Sequence, residues 1–324
     1  MSNTQKKNVP ELRFPGFEGE WEEKKLESII KVNSGKDYKH LDKGDIPVYG
    51  TGGYMTSVSE PLSEIDAVGI GRKGTINKPY LLEAPFWTVD TLFYCTPKKE
   101  TDILFILSLF RKINWKVYDE STGVPSLSKQ TINKINRFVP TNKEQQKIGK
   151  FFSKLDRQIE LEEQKLELLQ QQKKGYMQKI FSQELRFKDE NGNDYPNWTN
   201  ERLGEVTTVT MGQSPKSVNY TDNSNDTVLI QGNADIENGL INPRIYTREV
   251  TKLIQKDEII LTVRAPVGKL AMAQINACIG RGVCSIKGDK FLYYFLEWFA
   301  TQNKWIRFSQ GSTFESISGN DIRN

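Results

Sequence analysis

"WEEKKLESIIKVNSGK" (21–36) and "WTNERLGEVTTVTMGQ" (198–213) are one pattern written twice. At an offset of 177 residues Trp21 falls on Trp198, Leu26 on Leu203 and Gly35 on Gly212. The lead-ins agree too, with "ELRF" at 11–14 and again at 184–187. Further along, loop insertions shift the offset. "DAVGIGRKG" (66–74) lies against "DEIILTVRAPVG" (257–268), an alignment that sets Arg72 on Arg264. Two apolar, helix-like runs follow, "ILFILSLF" (103–110) and "FLYYFLEWFA" (291–300), each leading to a tryptophan, Trp115 and Trp305. Finally "STGVPSLSKQTI" (121–132) matches "GSTFESISGNDI" (311–322), with Ser126 on Ser316 and Ile132 on Ile322. Landmarks that recur in order over so long a period mean tandem domains, because solenoid repeats run to only a few tens of residues.

Composition narrows the function classes. The 324 residues are 37% hydrophobic and carry a formal charge of +4, enough to permit a nucleic-acid partner without requiring one. The start has lysines but no apolar core, so it is not a signal peptide. The two most apolar runs have about half the length that spans a bilayer. Three cysteines (Cys95, Cys278, Cys284) form no C-x-x-C pair, and their odd number argues against a disulfide framework, which points to a reducing cytoplasm. The single histidine, His40, sits in a polar loop where solvation is the plain expectation. One histidine excludes a Cys/His zinc site and an ordinary Ser-His-Asp triad.

Two signals resemble enzyme motifs. Gly69, Gly71 and Gly74 have the G-x-G-x-x-G spacing, and Asn77-Lys78-Pro79-Tyr80 is one residue from the N-P-P-Y motif of amino-methyltransferases. A phosphate-binding glycine loop must open a helix. "TINKPYLLEAPFW" (75–87), with two prolines and a β-branched start, does not read as one. Lys78 in place of the first proline breaks the turn that N-P-P-Y chemistry needs. The stretch reads instead as an alternating strand ending in a loop that displays an arginine.

Between the copies, "TNKEQQKIGKFFSKLDRQIELEEQKLELLQQQKKGYMQKIF" (141–181) differs in kind. Thr141 and Glu144 have capping-box spacing just after Pro140. Ile148, Phe152, Leu155, Ile159, Leu166, Leu169, Tyr176 and Ile180 keep a 4-3 heptad rhythm, broken at Glu162 and Lys173. The spacing predicts a helix over 143–181, about 58 Å long at about 1.5 Å per residue. So narrow an apolar stripe calls for a partner helix. Between two like DNA-reading domains, a rigid helix would fix the spacing of two half-sites.

Taken together, "LRFPGFEGEWEEKKL", "MGQSPKS", "VRAPVG", "GSTFESIS" and "VPTNKEQQKIGKFFSKLD" followed by "LELLQQQKKGYMQKIF" resemble the specificity (S) subunit of type I restriction–modification systems. The Glu-Gln-Gln-Lys-Ile helix start is the most specific of these. The resemblance implies an α+β chain of two tandem homologous target-recognition domains, 1–140 and 184–324, joined by a long coiled-coil-like helix at 141–183. It implies double-stranded DNA as ligand, two methyltransferase subunits docked on the helical segment, and nuclease–translocase subunits in the full complex. No catalytic residue, metal or cofactor is implied for the S subunit itself. A stand-alone DNA adenine methyltransferase and a helical scaffold that does not read DNA are the alternatives.

Base edges are read by paired donors and acceptors, while phosphate contacts give affinity and register. On that chemistry the first domain's candidates are Lys36, Tyr38, Lys39, Tyr54, Arg72, Lys73, Ser121 and Thr122. The second domain's are Gln213, Ser214, Lys216, Tyr220, Gln231, Asn233, Arg264, Arg281, Ser312 and Thr313. Neighbouring glycines are expected to let backbone approach phosphate. Trp21 and Trp198 are assigned to packing. The second copy stops at Asn324, the counterpart of Lys134. The expectation is therefore a truncated form of a longer protein whose final helix packs antiparallel on 143–181. Without it Ile148, Phe152, Leu155, Ile159 and Leu169 would be exposed and would drive self-association or recruit a methyltransferase subunit.

Overall fold

Short runs of valine, isoleucine and aromatics, interrupted by glycine, proline and aspartate, build a structure of many brief strands. The computed structural model describes residues 8–308 and 316–324. The chain divides between Gln164 and Lys165 into two compact units.

In the first unit β1 (Glu22–Lys25), α1 (Leu26–Ile29) and β2 (Ile30–Ser34) lead into β3 (Ile46–Gly50) and β4 (Gly53–Val58). Next come β5 (Ala67–Gly71), β6 (Tyr80–Leu82), β7 (Trp87–Thr88) and β8 (Leu92–Pro97). Helices α2 (Ile103–Lys112) and α3 (Lys129–Lys134) and strand β9 (Asn136–Val139) complete it, and α4 (Asn142–Phe181) follows. One sheet has the order β2-β8-β5-β6, a second β4-β3-β7, and β1 pairs with β9. Strands β3 and β7 run parallel. Phe105, Ile106 and Phe110 of α2 pack with Val68 and Ile70 of β5 in the main core. Ala67 of the same strand joins Leu82, Phe86 and Leu92 in a second cluster. Strand β5 is therefore buried on both faces, not alternating as its sequence position suggested.

The second unit repeats this plan with insertions. It contains α5 (Leu203–Val206), β10 (Val209–Met211), β11 (Tyr220–Thr221), β12 (Thr227–Ile230), β13 (Ile236–Glu237) and β14 (Leu240–Ile241). It continues with β15 (Tyr246–Thr247), β16 (Leu253–Ile254), β17 (Ile259–Thr262), β18 (Leu270–Met272), β19 (Ala277–Ile279) and β20 (Val283–Ile286), then α6 (Lys290–Thr301) and α7 (Gly319–Arg323). The order β10-β20-β17-β18 matches β2-β8-β5-β6, and the parallel pair β12/β19 matches β3/β7. Even the helix caps recur. Asp102 and Asp289 accept from Phe105 and Leu292 backbone N–H groups, and Ser128 and Ser318 from those of Thr131 and Asp321.

The ladders correct one alignment. Cys95 faces Val32 and Val68, while Ile286 faces Val209 and Ile259, so Val68 corresponds to Ile259. Arg72 then corresponds to Val263: their carbonyls accept from Leu127 N and Ile317 N at 2.9 and 3.0 Å. Lys73, bridged to Ser126, is the counterpart of Arg264, bridged to Ser316. Matching arginine to arginine displaced the register by one residue, and one residue is enough to turn a strand's side chains to its other face.

Helix α4 starts on a buried carboxylate. Glu144, 1% exposed, binds Arg13 through both oxygens at 2.8 and 2.7 Å and accepts from the Trp21 indole at 3.3 Å. Glu144 is thus engaged by a charge-assisted fork rather than by the expected capping box with Thr141. Gln145 accepts from Asp102 N at 3.0 Å and donates to the Pro140 carbonyl at 2.9 Å. Trp21 lies edge-on to Phe105, as expected of a packing residue; Trp198 sets its ring against Phe181 and Phe291 but stays exposed.

Gly149 lets α4 pack closely on the start of α2. An added Cβ would lie 2.8 Å from Phe105 N and 2.7 Å from Leu104 Cβ. Helix propensity favours alanine by about 1 kcal/mol, but overpacking of this kind costs about 1–3 kcal/mol. Gly149→Ala is expected to lower the urea midpoint of the first unit, followed by tryptophan fluorescence. Gly175→Ala, with nothing within 4 Å, should leave stability unchanged or raise it slightly.

The segment 119–131 is held by two carboxylates. Asp119 accepts from Ser126 N, Ser121 N and the Ser121 hydroxyl, which holds its pKa below the ordinary 3.8. Glu120 accepts from the Thr131 and Ser128 hydroxyls and is held below 4.5. Depressed folded-state values mean that this stabilisation is present above those ordinary values and is lost as pH falls through the folded ones. Amide protection in 119–131, corrected for the intrinsic exchange rate, should be lost on acidification ahead of that of the β5 and β8 amides. Synchronous exchange across the unit would show that the two carboxylates do not hold this loop.

Candidate nucleic-acid interface

In each unit one tight loop collects backbone hydrogen bonds from several separate segments, three of which correspond between the units. In the first it is Thr88–Thr91, between β7 and β8. Lys36 N donates to Thr88 O at 2.8 Å, Val89 N to Tyr49 O at 3.0 Å, and Arg72 N to Thr91 O at 2.8 Å. In the second it is Ile279–Gly282, between β19 and β20. Gln213 N donates to Ile279 O at 2.9 Å, Gly280 N to Ile230 O at 2.7 Å, and Val263 N to Gly282 O at 2.9 Å. The loop thus gathers the ends of β2, β3 and β5, or of β10, β12 and β17, at one place.

Glycine makes this approach possible. An alanine Cβ at Gly35 would lie 1.9 Å from the Val89 carbonyl oxygen, and one at Gly212 would lie 2.1 Å from that of Gly280. These two glycines face the protein's own backbone, not an open surface for phosphate. Gly52, Gly53, Gly123 and Gly232 have no neighbour within 4 Å and keep that freedom.

Among the first unit's candidates Lys36, Lys39, Arg72, Lys73 and Thr122 are exposed. Arg72 lies 5.8 Å over the Phe93 ring, with Nη1 3.5 Å from the Asp90 carbonyl. Tyr54 is 64% exposed, with its hydroxyl 3.1 Å from Ser57 Oγ. Tyr38 is half-buried against Val48, Val58 and Trp87. The Ser121 hydroxyl is engaged by Asp119. The Lys73–Ser126 bridge and the Gly74 N–H to the Pro125 carbonyl (2.8 Å) bring the 121–126 loop beside Arg72. His40 is exposed but sets its ring edgewise to Trp87 at 5.9 Å.

In the second unit Gln213, Lys216, Arg264 and Arg281 are exposed. Ser214 accepts from Arg281 N at 3.2 Å, so its hydroxyl braces the loop. Tyr220, Gln231 and Asn233 are half-buried. Gln231 N donates to Asp235 at 2.8 Å, and the Asn233 carbonyl accepts from Lys269 Nζ at 3.3 Å. Ser312 and Thr313 lie outside the described residues.

Sequence reading missed Asp90. The loops "WTVDT" (87–91) and "CIGRG" (278–282) share no residue at matched positions, so identity alone could not pair them. Their backbone bonds place Asp90 where the second unit has Arg281.

The enzyme-like glycines belong to this framework. Gly69 and Gly71 lie within β5, Gly74 takes a positive φ of 86°, and the next element is strand β6, not a helix. A Cβ at Gly71 would lie 2.1 Å from the Thr75 carbonyl oxygen. Tyr80 donates to the Gly50 carbonyl at 2.6 Å, and burial pushes its phenol well up. All three cysteines are buried, with the Cys284 thiol pushed up to about 12 by desolvation. Among the described residues no cluster of three or more His, Cys, Asp or Glu could hold a metal, and no helix is long and apolar enough to cross a membrane.

On α4 Phe152, Leu155, Ile159, Leu166, Leu169 and Tyr176 are exposed. Ile148, expected to be exposed as well, is half-buried against the first unit's core, and Ile180 is half-buried. The first turns of α4 pack on α2, which the heptad rhythm alone could not reveal.

Known proteins share this plan. A fold neighbour, the S subunit of a type I restriction–modification system from M. genitalium, aligns over 98% of this chain and 86% of its own at a TM-score of 0.67 and 16% identity. A second, from a structure of type I system assembly and conformational transition, covers 97% and 86% at a TM-score of 0.53 and 19% identity. The Methanocaldococcus jannaschii protein assigned as the MjaX type I restriction enzyme specificity subunit is 29% identical over 235 residues, 68% of this chain and 55% of that relative. This chain spans little more than half the length of the curated relatives it matches. The family model of the type I restriction modification DNA specificity domain matches twice, over residues 18–171 and 195–324, once in each copy of the duplicated pattern. The chain belongs to that family of type I restriction–modification DNA specificity domains.

Proposed function

We propose that this chain is the non-catalytic DNA-recognition component of a type I restriction–modification complex in the cytoplasm. Each unit reads one half of a bipartite duplex target. Helix α4 sets the spacing of the halves and docks two methyltransferase subunits, and nuclease–translocase subunits join the full assembly. The observation that carries this reading is the repeated loop: three matching backbone bonds in both units, with different exposed side chains on and around it. That is what two readers of different half-sites require, since phosphate contacts can be common but base contacts must differ. The exposed apolar residues of α4 support a protein partner there. Against a stand-alone methyltransferase, Gly69 and Gly71 are packed within β5 and the element after Gly74 is a strand, not a helix.

Arg264→Ala is expected to weaken or relax recognition in one half of the target only, and Arg72→Ala or Lys73→Ala in the other. Loss of a bidentate guanine contact removes about 1–3 kcal/mol of discrimination. Methylated sites mapped with the modification subunits present read this out, and equal effects on both halves would refute one-unit, one-half reading. Binding of the wild-type chain to duplex should also fall steeply with salt as counterion release is suppressed.

Inserting four residues between Gln164 and Lys165 extends α4 by about one turn, at about 1.5 Å per residue. The preferred gap between half-sites should lengthen by one or two base pairs, about 3.4 Å each. An unchanged gap in the methylated sites would show that α4 is not the ruler.

A further inference from the structure

Asp90 and Arg281 occupy the same backbone position with opposite charge. Each is the third residue of the four-residue loop on which its unit's candidate segments converge, and each is exposed. Their neighbours correspond as well: Lys36 and Gln213 donate through N–H to the first residue of the loop, and Arg72 and Val263 to the last. Among the described residues neither the Asp90 carboxylate nor the Arg281 guanidinium has a hydrogen bond or ion pair within the chain. The Arg72 guanidinium approaches the Asp90 carbonyl oxygen, not its carboxylate.

A carboxylate at this place needs a reason. On a surface that faces phosphates it is repelled, and Lys36, Arg72 and Lys73 around it are all cations. It stabilises a complex only by meeting a donor, because an ionised aspartate can only accept. In the major groove the donors are the exocyclic amines of cytosine and adenine. Adenine presents its amine beside its own N7 acceptor, which repels a carboxylate, whereas cytosine presents the amine as its sole polar group there. At the equivalent position Arg281 offers a planar fork of donors that matches guanine O6 and N7.

We propose that Asp90 and Arg281 are the specificity-determining residues at this shared position, Asp90 accepting from the amine of a cytosine in one half-site and Arg281 donating to a guanine in the other. The proposal rests on the DNA-recognition reading above and adds to it a polarity switch on a common backbone.

The test maps sites methylated by the full chain with its modification subunits, for wild type, Asp90→Asn and Arg281→Gln. Asn keeps the shape of Asp90, Gln replaces the Arg281 guanidinium by a shorter neutral amide, and both amides suit adenine. The expected result is a change of preference by about tenfold or more at one position of one half-site for Asp90→Asn, from cytosine towards adenine. Arg281→Gln should move a guanine preference in the other half only. Unchanged base preferences in both variants would overturn the assignment while leaving the recognition reading intact. Wild-type methylation with no dependence on sequence would overturn that reading itself. If Asp90→Asn methylates nothing, Asp90→Ala binding to a non-cognate duplex decides. Removing an interfacial carboxylate raises that affinity, and an unchanged or lower affinity counts against the proposal.

Discussion

Each unit depends on a loop held mainly by backbone groups. Peptide groups of Lys36, Tyr49, Arg72 and Lys73 bond to Thr88–Thr91 in the first unit, and those of Gln213, Ile230, Lys252 and Val263 to Ile279–Gly282 in the second. These peptide–peptide bonds do not depend on side-chain identity, and among the described residues only the Ser214 hydroxyl and the Arg72 guanidinium add side-chain contacts to the loops. The steric requirement falls instead on Gly35 and Gly212, where any Cβ would enter a carbonyl oxygen. A pair of glycines at matching positions, with little else conserved between the two loops, is the signature of that division. Backbone supplies the frame, and side chains remain open to vary with the target.

The long helix is tied to the first unit by a different device. Glu144 is a buried carboxylate held by an arginine fork, and it fixes the segment around Arg13 and Trp21 to the start of α4. The second copy of the same lead-in, around Arg186, turns its guanidinium to the Tyr195 and Pro196 carbonyls and to Asn197. Two similar stretches of sequence thus reach different partners. The arginine in each finds acceptors, because a partly buried guanidinium left without them is costly.

Sequence periodicity and resemblance led to the same architecture from different directions. Landmark order gave two copies of one domain, and the heptad rhythm gave a helix whose observed span, Asn142–Phe181, matches the expectation closely at its end and begins one residue early. The glycine motif near residue 70 was legible as a false cofactor loop, because proline and β-branched residues after Gly74 forbid the helix that such a loop must open.

Residue order and chemical type by themselves determined the duplication, the spacer helix and the family resemblance, since these depend on periodicity and on short motifs. Tertiary structure alone decided the register of β5 against β17, the double-sided burial of β5, the packing of Ile148, and the pairing of Asp90 with Arg281. Those four depend on which peptide groups meet across the ladders and loops. Peptide groups carry no residue identity, and "WTVDT" and "CIGRG" adopt the same bonds with nothing in common to align.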